Sequence, residues 1–206
     1  CGDRADLVLW LYRQMHEQGI VPNAYTLVHS LKACGMMAIE KGKAFRTNGQ
    51  EIKTMALEIG QALHVDALSK KLLSGSHFVA TSLLGMYNNC GDIRKAEEVF
   101  VECSQRDIVT WNAMLSAYTQ HGFDLSALQL FNMMQEEAIQ PSIATFSCIT
   151  KACGNLRDLK LGQIIHDQIL KDQLKMDVVV GNTLIDMYMK CGCLDDARKV
   201  FTDLPN

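Results

Sequence analysis

The chain has 206 residues, 48% hydrophobic and 21% charged, with a formal net charge of −3 and a pI near 6.1. That balance suits a folded chain and excludes an intrinsically disordered one, and it provides no global attraction to a phosphate backbone. Three prolines and 14 glycines stand singly, so no linker divides the chain and one domain or one continuous array is expected.

The first residues, CGDRADLVLW, show no basic region followed by a hydrophobic core, and no apolar run in the chain is long enough to span a bilayer. Beginning without Met, the chain is expected to be a fragment that has lost its targeting segment. Leu11, Met15, Ile20, Pro22 and Lys32-Ala33-Cys34-Gly35 recur 119 residues later as Leu130, Met134, Ile139, Pro141 and Lys151-Ala152-Cys153-Gly154. Next comes a near-repeat at 18 residues: MAIEKGKAF at 37–45 and MALEIGQAL at 55–63. Downstream the period is 101, pairing Leu83, Met86, Tyr87, Cys90, Gly91, Ala96, Val99 and Phe100 with Leu184, Met187, Tyr188, Cys191, Gly192, Ala197, Val200 and Phe201. The two periods differ by the same 18 residues, so residues 37–54 are expected to be a local duplication inside one copy of a longer repeat. LEIGQALH matches LKLGQIIH through His64 and His166, which assigns Met55 onward to a regular second helix. Eighteen residues make about five helical turns, so an apolar face could keep its phase, but Asn48-Gly49 is a poor helix interior. An extra helix or a loop-broken pair, bulging locally, is expected.

A period of 31 lies inside the longer one, carrying Leu83 to Met114, Tyr87 to Tyr118, Gly91 to Gly122, Ala96 to Ala127 and Phe100 to Phe131. Within it, Trp111, Met114, Leu115 and Tyr118 follow helical spacing, Gly122 stops the helix, and Leu125, Leu128, Leu130, Phe131 and Met134 form a second apolar stripe. Asp92 and Asp195-Asp196 stand where second helices start, beside exposed backbone amides. DVVVGN at 177–182 could be a short strand, but its equivalents DIVTWN and HFVATS lead into helices, so it reads as a turn and helix entry. One hairpin cannot bury its own apolar faces. The predicted class is therefore all-α, a right-handed α-solenoid superhelix of stacked antiparallel helix pairs.

DIVTWNAMLSAYTQHGFDLSALQLFNMMQEEAIQPS and VVVGNTLIDMYMKCGCLDDARKVFTDLP resemble pentatricopeptide repeats of the plant PLS subclass, in which long P, variant L and short S units alternate. Tetratricopeptide repeats share the hairpin but not these signatures. The resemblance implies a partial P unit at 1–23, an expanded L unit at 24–76, an S unit at 77–107, a P unit at 108–142, an L unit at 143–177 and a nearly complete S unit at 178–206. Such repeats bind single-stranded RNA with one base per unit, read by a few side chains.

By resemblance, the base-reading residues are the fifth and last of each unit: Thr81 with Asp107, Asn112 with Ser142, and Asn182 with a partner beyond Asn206. The L-unit pair Ser147 and Asp177 is a weaker reader, because L units follow the pairing rules poorly. Val28, fifth in the first L unit, has no side-chain group that can hydrogen-bond a base. The rules imply guanine for Thr81 and Asp107, and a pyrimidine for Asn112 and Ser142 and for Asn182. Phe78, Val109 and Val179, second in their units, would sandwich bases. Asn, Thr and Ser also favour helix starts, so the polar residues could instead be N-caps; their recurrence at one repeat position favours base reading.

Eight cysteines include no C-x-x-C pair, so neither a metal site nor a disulfide framework is expected; Cys191-x-Cys193 is the closest spacing. Cys34 and Cys153, and Cys90 and Cys191, are equivalent across repeats and read as small buried residues of a reducing compartment. His64 and His166 recur on second helices, where packing or partner contact explains them more simply than catalysis does. No H-x-E with P-C-x-x-C, phosphate-binding glycine loop or nucleophile elbow is present, so the segment reads as non-enzymatic, without cofactor or membrane. The resemblance implies organellar single-stranded RNA as partner, in a mitochondrion or chloroplast, for site recognition in C-to-U editing with editing cofactors or a deaminase domain in cis or trans. The alternative is a scaffold whose concave face holds a peptide or partner helix.

Overall fold

The computed structural model describes residues 2–44, 49–73, 77–171 and 178–204, and eleven helices lie among them. They are α1 (Gly2–Glu17), α2 (Ala24–Ala44), α3 (Gly49–Ser69), α4 (His77–Cys90), α5 (Ile93–Glu102), α6 (Ile108–Gln120), α7 (Asp124–Glu136), α8 (Ile143–Leu156), α9 (Leu159–Lys171), α10 (Val178–Lys190) and α11 (Leu194–Asp203). No strand occurs among the described residues, and DVVVGN leads into α10 as a helix. No helix among them is long and apolar enough to cross a membrane. The helices gather into two units, Cys1–Met114 and Leu115–Asn206, divided within α6.

The first helices α4, α6, α8 and α10 are stopped in the same way. The amide of Asp92 donates to Tyr87 O, that of Phe123 to Tyr118 O, that of Asp158 to Cys153 O and that of Cys193 to Tyr188 O, at 2.9–3.0 Å. The residue before each donor takes the left-handed conformation: Gly91, Gly122 and Gly192 at φ 86°, 78° and 79°, and Arg157 at 56°. This bond pattern satisfies the orphan carbonyls of a helix end, and glycine adopts it without a Cβ penalty. The short links that result turn the chain straight into the second helix. Asp92 caps α5 by accepting from Lys95 N, while Asp195 and Asp196 lie in the first turn of α11. Both placements follow the sequence reading.

In the first unit α2 packs on α1, α3 and α4, with α4 also touching α3 and α5. In the second, α8 packs on α7, α9 and α10, with α10 also touching α9 and α11. Glycines permit these approaches. A Cβ on Gly154 would stand 3.0 Å from the Met187 backbone, and one on Gly162 would meet the end of the same Met187 side chain. Gly60 likewise meets the end of the Met86 side chain, and a Cβ on Gly35 would stand 3.5 Å from the Met86 backbone and 2.8 Å from the Asn89 side chain. Thus two helices of one pair close on a single methionine of the next helix, once in each unit. Leu83, Leu84 and Tyr87 are fully buried beside Met86, and Leu184 beside Met187.

The recurring histidines are packing residues. His64 Nδ1 lies 2.9 Å from Tyr87 Oη, and His166 Nδ1 2.9 Å from Tyr188 Oη, with the rings edge to face in both pairs. Burial holds both imidazoles below the usual histidine range; nearby acids, Glu102 and Glu98 for His64 and Asp167, Asp196 and Asp203 for His166, act in the opposite direction. The seven described cysteines are free. Burial pushes the Cys34 and Cys153 thiols up to about 12, which keeps them protonated and inert. Cys90 and Cys191 are only half-buried, a correction to the expectation that all four lie in the core, because Cys90 is the last residue of α4 and Cys191 follows the end of α10, where the core ends.

The duplicated segment lengthens existing helices. Helix α2 has 21 residues where α8 has 14, and α3 has 21 where α9 has 13. No additional helix forms among the described residues, which corrects one of the two expected forms; residues 45–48, at the expected break, lie outside them. Met37 and Ala38 on α2 and Ala56 on α3 make a buried cluster that Leu9, Ile59 and Cys90 flank.

Gly154→Val is expected to lower the unfolding free energy by about 1–3 kcal/mol in denaturant titration, because the added side chain must displace the Met187 backbone. An unchanged midpoint would show that α8 and α10 do not approach so closely. The histidines give a pH dependence: the unfolded chain binds their protons more readily, so stability should fall as pH drops from about 7 to about 5.5. Replacing His64 and His166 by Gln should flatten that slope, and a slope equal to the parent's would assign the titration to other groups.

Candidate nucleic-acid interface

Phe78, Thr81, Asp107 and Val109 meet in one cleft of about 430 Å³ in the first helical unit. Phe78 and Thr81 come from the first two turns of α4, Asp107 from the link before α6, and Val109 from the first turn of α6. Val28 and Lys32 of α2 complete the wall. Phe78 is 66% exposed and Val109 54%, a costly display of apolar surface that gives each a flat face to offer.

The polar groups are tied together. Asp107 caps α6: its Oδ1 accepts from Thr110 N at 2.9 Å and from the Thr110 hydroxyl at 2.7 Å. Thr81 donates its hydroxyl to His77 O at 2.8 Å, and its Oγ1 lies 3.3 Å from the Thr110 Oγ1. The other Asp107 oxygen, Oδ2, lies 3.7 Å from His77 Nε2. Burial would raise the Asp107 pKa, but the hydrogen bonds from Thr110 and the nearby His77 outweigh it and hold the carboxyl below its usual range. Asp107 is therefore an anion that accepts hydrogen bonds and donates none.

The remaining candidates are placed singly. Asn112 is half-buried on α6 in the first unit, and Ser142 is half-buried before α8 in the second. Ser142 caps α8, accepting from Thr145 N at 3.3 Å while its own amide donates to Thr145 Oγ1 at 2.9 Å. Asn182 is exposed on α10, one turn from Val179, which is 62% exposed. Ser147 presents no open hydroxyl, because its Oγ is buried with no partner in the chain. Asp177 lies outside the described residues. Among those residues no group of three His, Cys, Asp or Glu is placed to hold a metal ion, and Cys193 Sγ lies 3.9 Å from Cys191 O.

Sequence reasoning missed His77 and Thr110. The signal for Thr110 was present, since Asn23, Asp107 and Ser142 are each followed three residues later by Thr, the spacing of a reciprocal N-cap. His77 left no comparable signal, because its approach to Asp107 depends on how α4 meets α6.

The PPR repeat family model matches residues 106–155, and the PPR repeat model matches residues 78–108 and 182–205. A pentatricopeptide repeat-containing protein of Arabidopsis thaliana is 30% identical over 205 residues, 98% of this chain and 27% of the relative. A second from the same plant, described as chloroplastic, is 33% identical over 90% of this chain and 27% of its own length. A third, described as mitochondrial, is 31% identical over 98% of this chain and 30% of its own length. The chain thus spans less than a third of each of these relatives. Among solved structures, the pentatricopeptide repeat protein PPR10 from maize superposes with a TM-score of 0.61 at 19% identity, over the whole of this chain and 32% of that one. PPR10 in complex with an 18-nt psaJ RNA element gives 0.57 at 21% identity, over 98% of this chain and 32% of that one. At those identities the likeness establishes the α-solenoid fold alone. Hairpin period, fold and relatives agree, and the chain belongs to the pentatricopeptide repeat family.

Proposed function

We propose that this chain is a sequence-specific single-stranded RNA-binding segment of an organellar RNA-processing factor. The observation that carries the reading is the convergence of Phe78, Thr81, Asp107 and Val109 on one cleft. Two apolar plates beside two oriented polar groups are what an unstacked base requires: faces to stack on and an edge to hydrogen-bond. Thr81 and Asn112 are half-buried and Asn182 is exposed, so these side chains are not sealed in the core as a pure packing role would have them.

The proton inventory supports guanine at the cleft. With its hydroxyl proton on His77 O, Thr81 offers outward a lone pair, and Asp107 offers the Oδ2 that Thr110 does not engage. The pair therefore presents acceptors, which suit the adjacent N1–H and N2–H₂ donors of guanine; uracil, cytosine and adenine each carry one donor group on that edge. Asn112 with Ser142, and Asn182, carry short polar groups that suit a pyrimidine.

PLS-type repeats are part of this proposal, with the units bounded as in the sequence reading, and so is a role in choosing sites for C-to-U editing beside a deaminase supplied in cis or trans. Relatives described as chloroplastic and mitochondrial support an organellar setting, and the RNA complex of PPR10 supports RNA as partner. The segment itself binds and positions; no step of chemistry is assigned to it.

Changing Asn112 to Thr together with Ser142 to Asp is expected to move the preference of that unit from pyrimidine to guanine, by roughly tenfold in relative affinity. Gel shifts against single-stranded RNAs differing at one nucleotide measure it, and an unchanged base preference in the folded double variant would sink the reading.

A further inference from the structure

We infer that Thr110 is a positioning residue for base recognition: its buried hydroxyl joins Thr81 and Asp107 into one acceptor unit and thereby sets the guanine preference of the cleft. The inference rests on the proposed reading of Thr81 and Asp107 and adds to it a residue that reaches no base.

Thr110 is fully buried, with 0% exposure, so it cannot touch a ligand itself. Its single hydroxyl proton goes to Asp107 Oδ1 at 2.7 Å, an acceptor that carries charge and takes the proton in preference to a neutral one. Towards Thr81, 3.3 Å away, Thr110 then has only a lone pair to offer. Both fixed partners of the Thr81 hydroxyl, His77 O and Thr110 Oγ1, consequently accept, and the Thr81 proton stays inside the protein. What faces the cleft is a Thr81 lone pair and an Asp107 oxygen, with the carboxylate rotation fixed by two bonds from one residue. A valine at 110 keeps the volume and the amide bond to Asp107 but removes the hydroxyl: the carboxylate loses one of the two bonds that fix its rotation, and Thr81 loses one of its two internal acceptors.

The same arrangement recurs where a hydroxyl stands three residues after the last position of a unit. Thr26 donates N–H and O–H to Asn23 Oδ1, both at 3.0 Å. Thr145 is fully buried and pairs with Ser142. After Ser76 and Asp177 the equivalent residues are Val79 and Val180, both buried and neither able to donate through its side chain. Those are the last residues of the two L units, the units expected to read bases poorly. Absence of the hydroxyl gives that weakness a physical cause.

The test uses the full 206-residue chain and a pool of randomised single-stranded RNA oligonucleotides, sequenced after selection, followed by gel shifts with single RNAs that vary at the guanine-enriched position. Thr110→Val is expected to cut the preference for guanine over the other bases at that position roughly tenfold while leaving the other positions as they are. Thr110→Ser, which keeps the hydroxyl, should retain it. Thr119→Val is the stability control, since it removes a buried hydroxyl of the same helix that bonds to the Leu115 and Ser116 carbonyls and to Cys148, away from the cleft; it should leave the guanine preference intact. Undiminished guanine preference in folded Thr110→Val, its loss in folded Thr110→Ser, or an equal loss in Thr119→Val would each overturn the inference. Thr81→Ala and Asp107→Asn separate the two levels. If they abolish the preference and Thr110→Val does not, the inference fails and the reading of the cleft stands; if they too change nothing, the reading itself fails.

Discussion

Everything in the molecule depends on a hairpin of two helices having more apolar surface than it can cover by itself. The contact that resolves this is between glycine and methionine. Gly35 and Gly60 from the two long helices α2 and α3 close on Met86 of α4, and Gly154 and Gly162 from α8 and α9 close on Met187 of α10. Glycine removes the side chain that would hold the helices apart, and methionine, unbranched and polarizable, fills the irregular gap that remains. The edge-to-face pairs His64–Tyr87 and His166–Tyr188 sit beside these contacts and add a hydrogen bond to each. Successive first helices, α2 on α4 and α8 on α10, are thereby packed directly against one another.

That packing produces the cleft as a by-product. With α4 held against α2, the start of α4 and the start of α6 stand beside Val28 and Lys32, and the residues left over from packing are those that point into the opening. Helix capping and the proposed base reading do not compete there. A helix start must satisfy its amides, and Asp107 does so with one oxygen. The second oxygen and the Thr81 lone pair are what remain for a ligand. The cap thus orients the side chain proposed to read a base.

Much of this was legible in the chain. The 31- and 101-residue periods foretold helix pairs, Gly91, Gly122 and Gly192 foretold where first helices stop, and Asp92 foretold a cap. Arg157 was not foretold: it occupies the left-handed position that glycine fills elsewhere, because the 6→1 bond to Cys153 O and the burial of Cys153 impose the conformation on whatever residue stands there. The duplicated segment was recognised as an insertion, yet its form was not. Asn48-Gly49 argued for a separate element, whereas about five whole turns could extend the helices without rotating their apolar faces. Tertiary packing decided for extension, through the cluster of Met37, Ala38 and Ala56.

Local chemistry along the chain determined which residues become helix, where each helix ends and which faces are apolar, since these depend on backbone propensity and on spacing within a few turns. It also marked, by recurrence at one place in each unit, the polar side chains proposed to read bases. Only the tertiary structure decided that Thr81 and Asp107, 26 residues apart, share a buried hydroxyl, that His77 approaches the same carboxylate, and that Ser147 turns its hydroxyl inward. The reason is one of scale. A hydrogen bond responds to a few tenths of an ångström and to direction, and those are set by how closely two helices pack rather than by the order of residues in either.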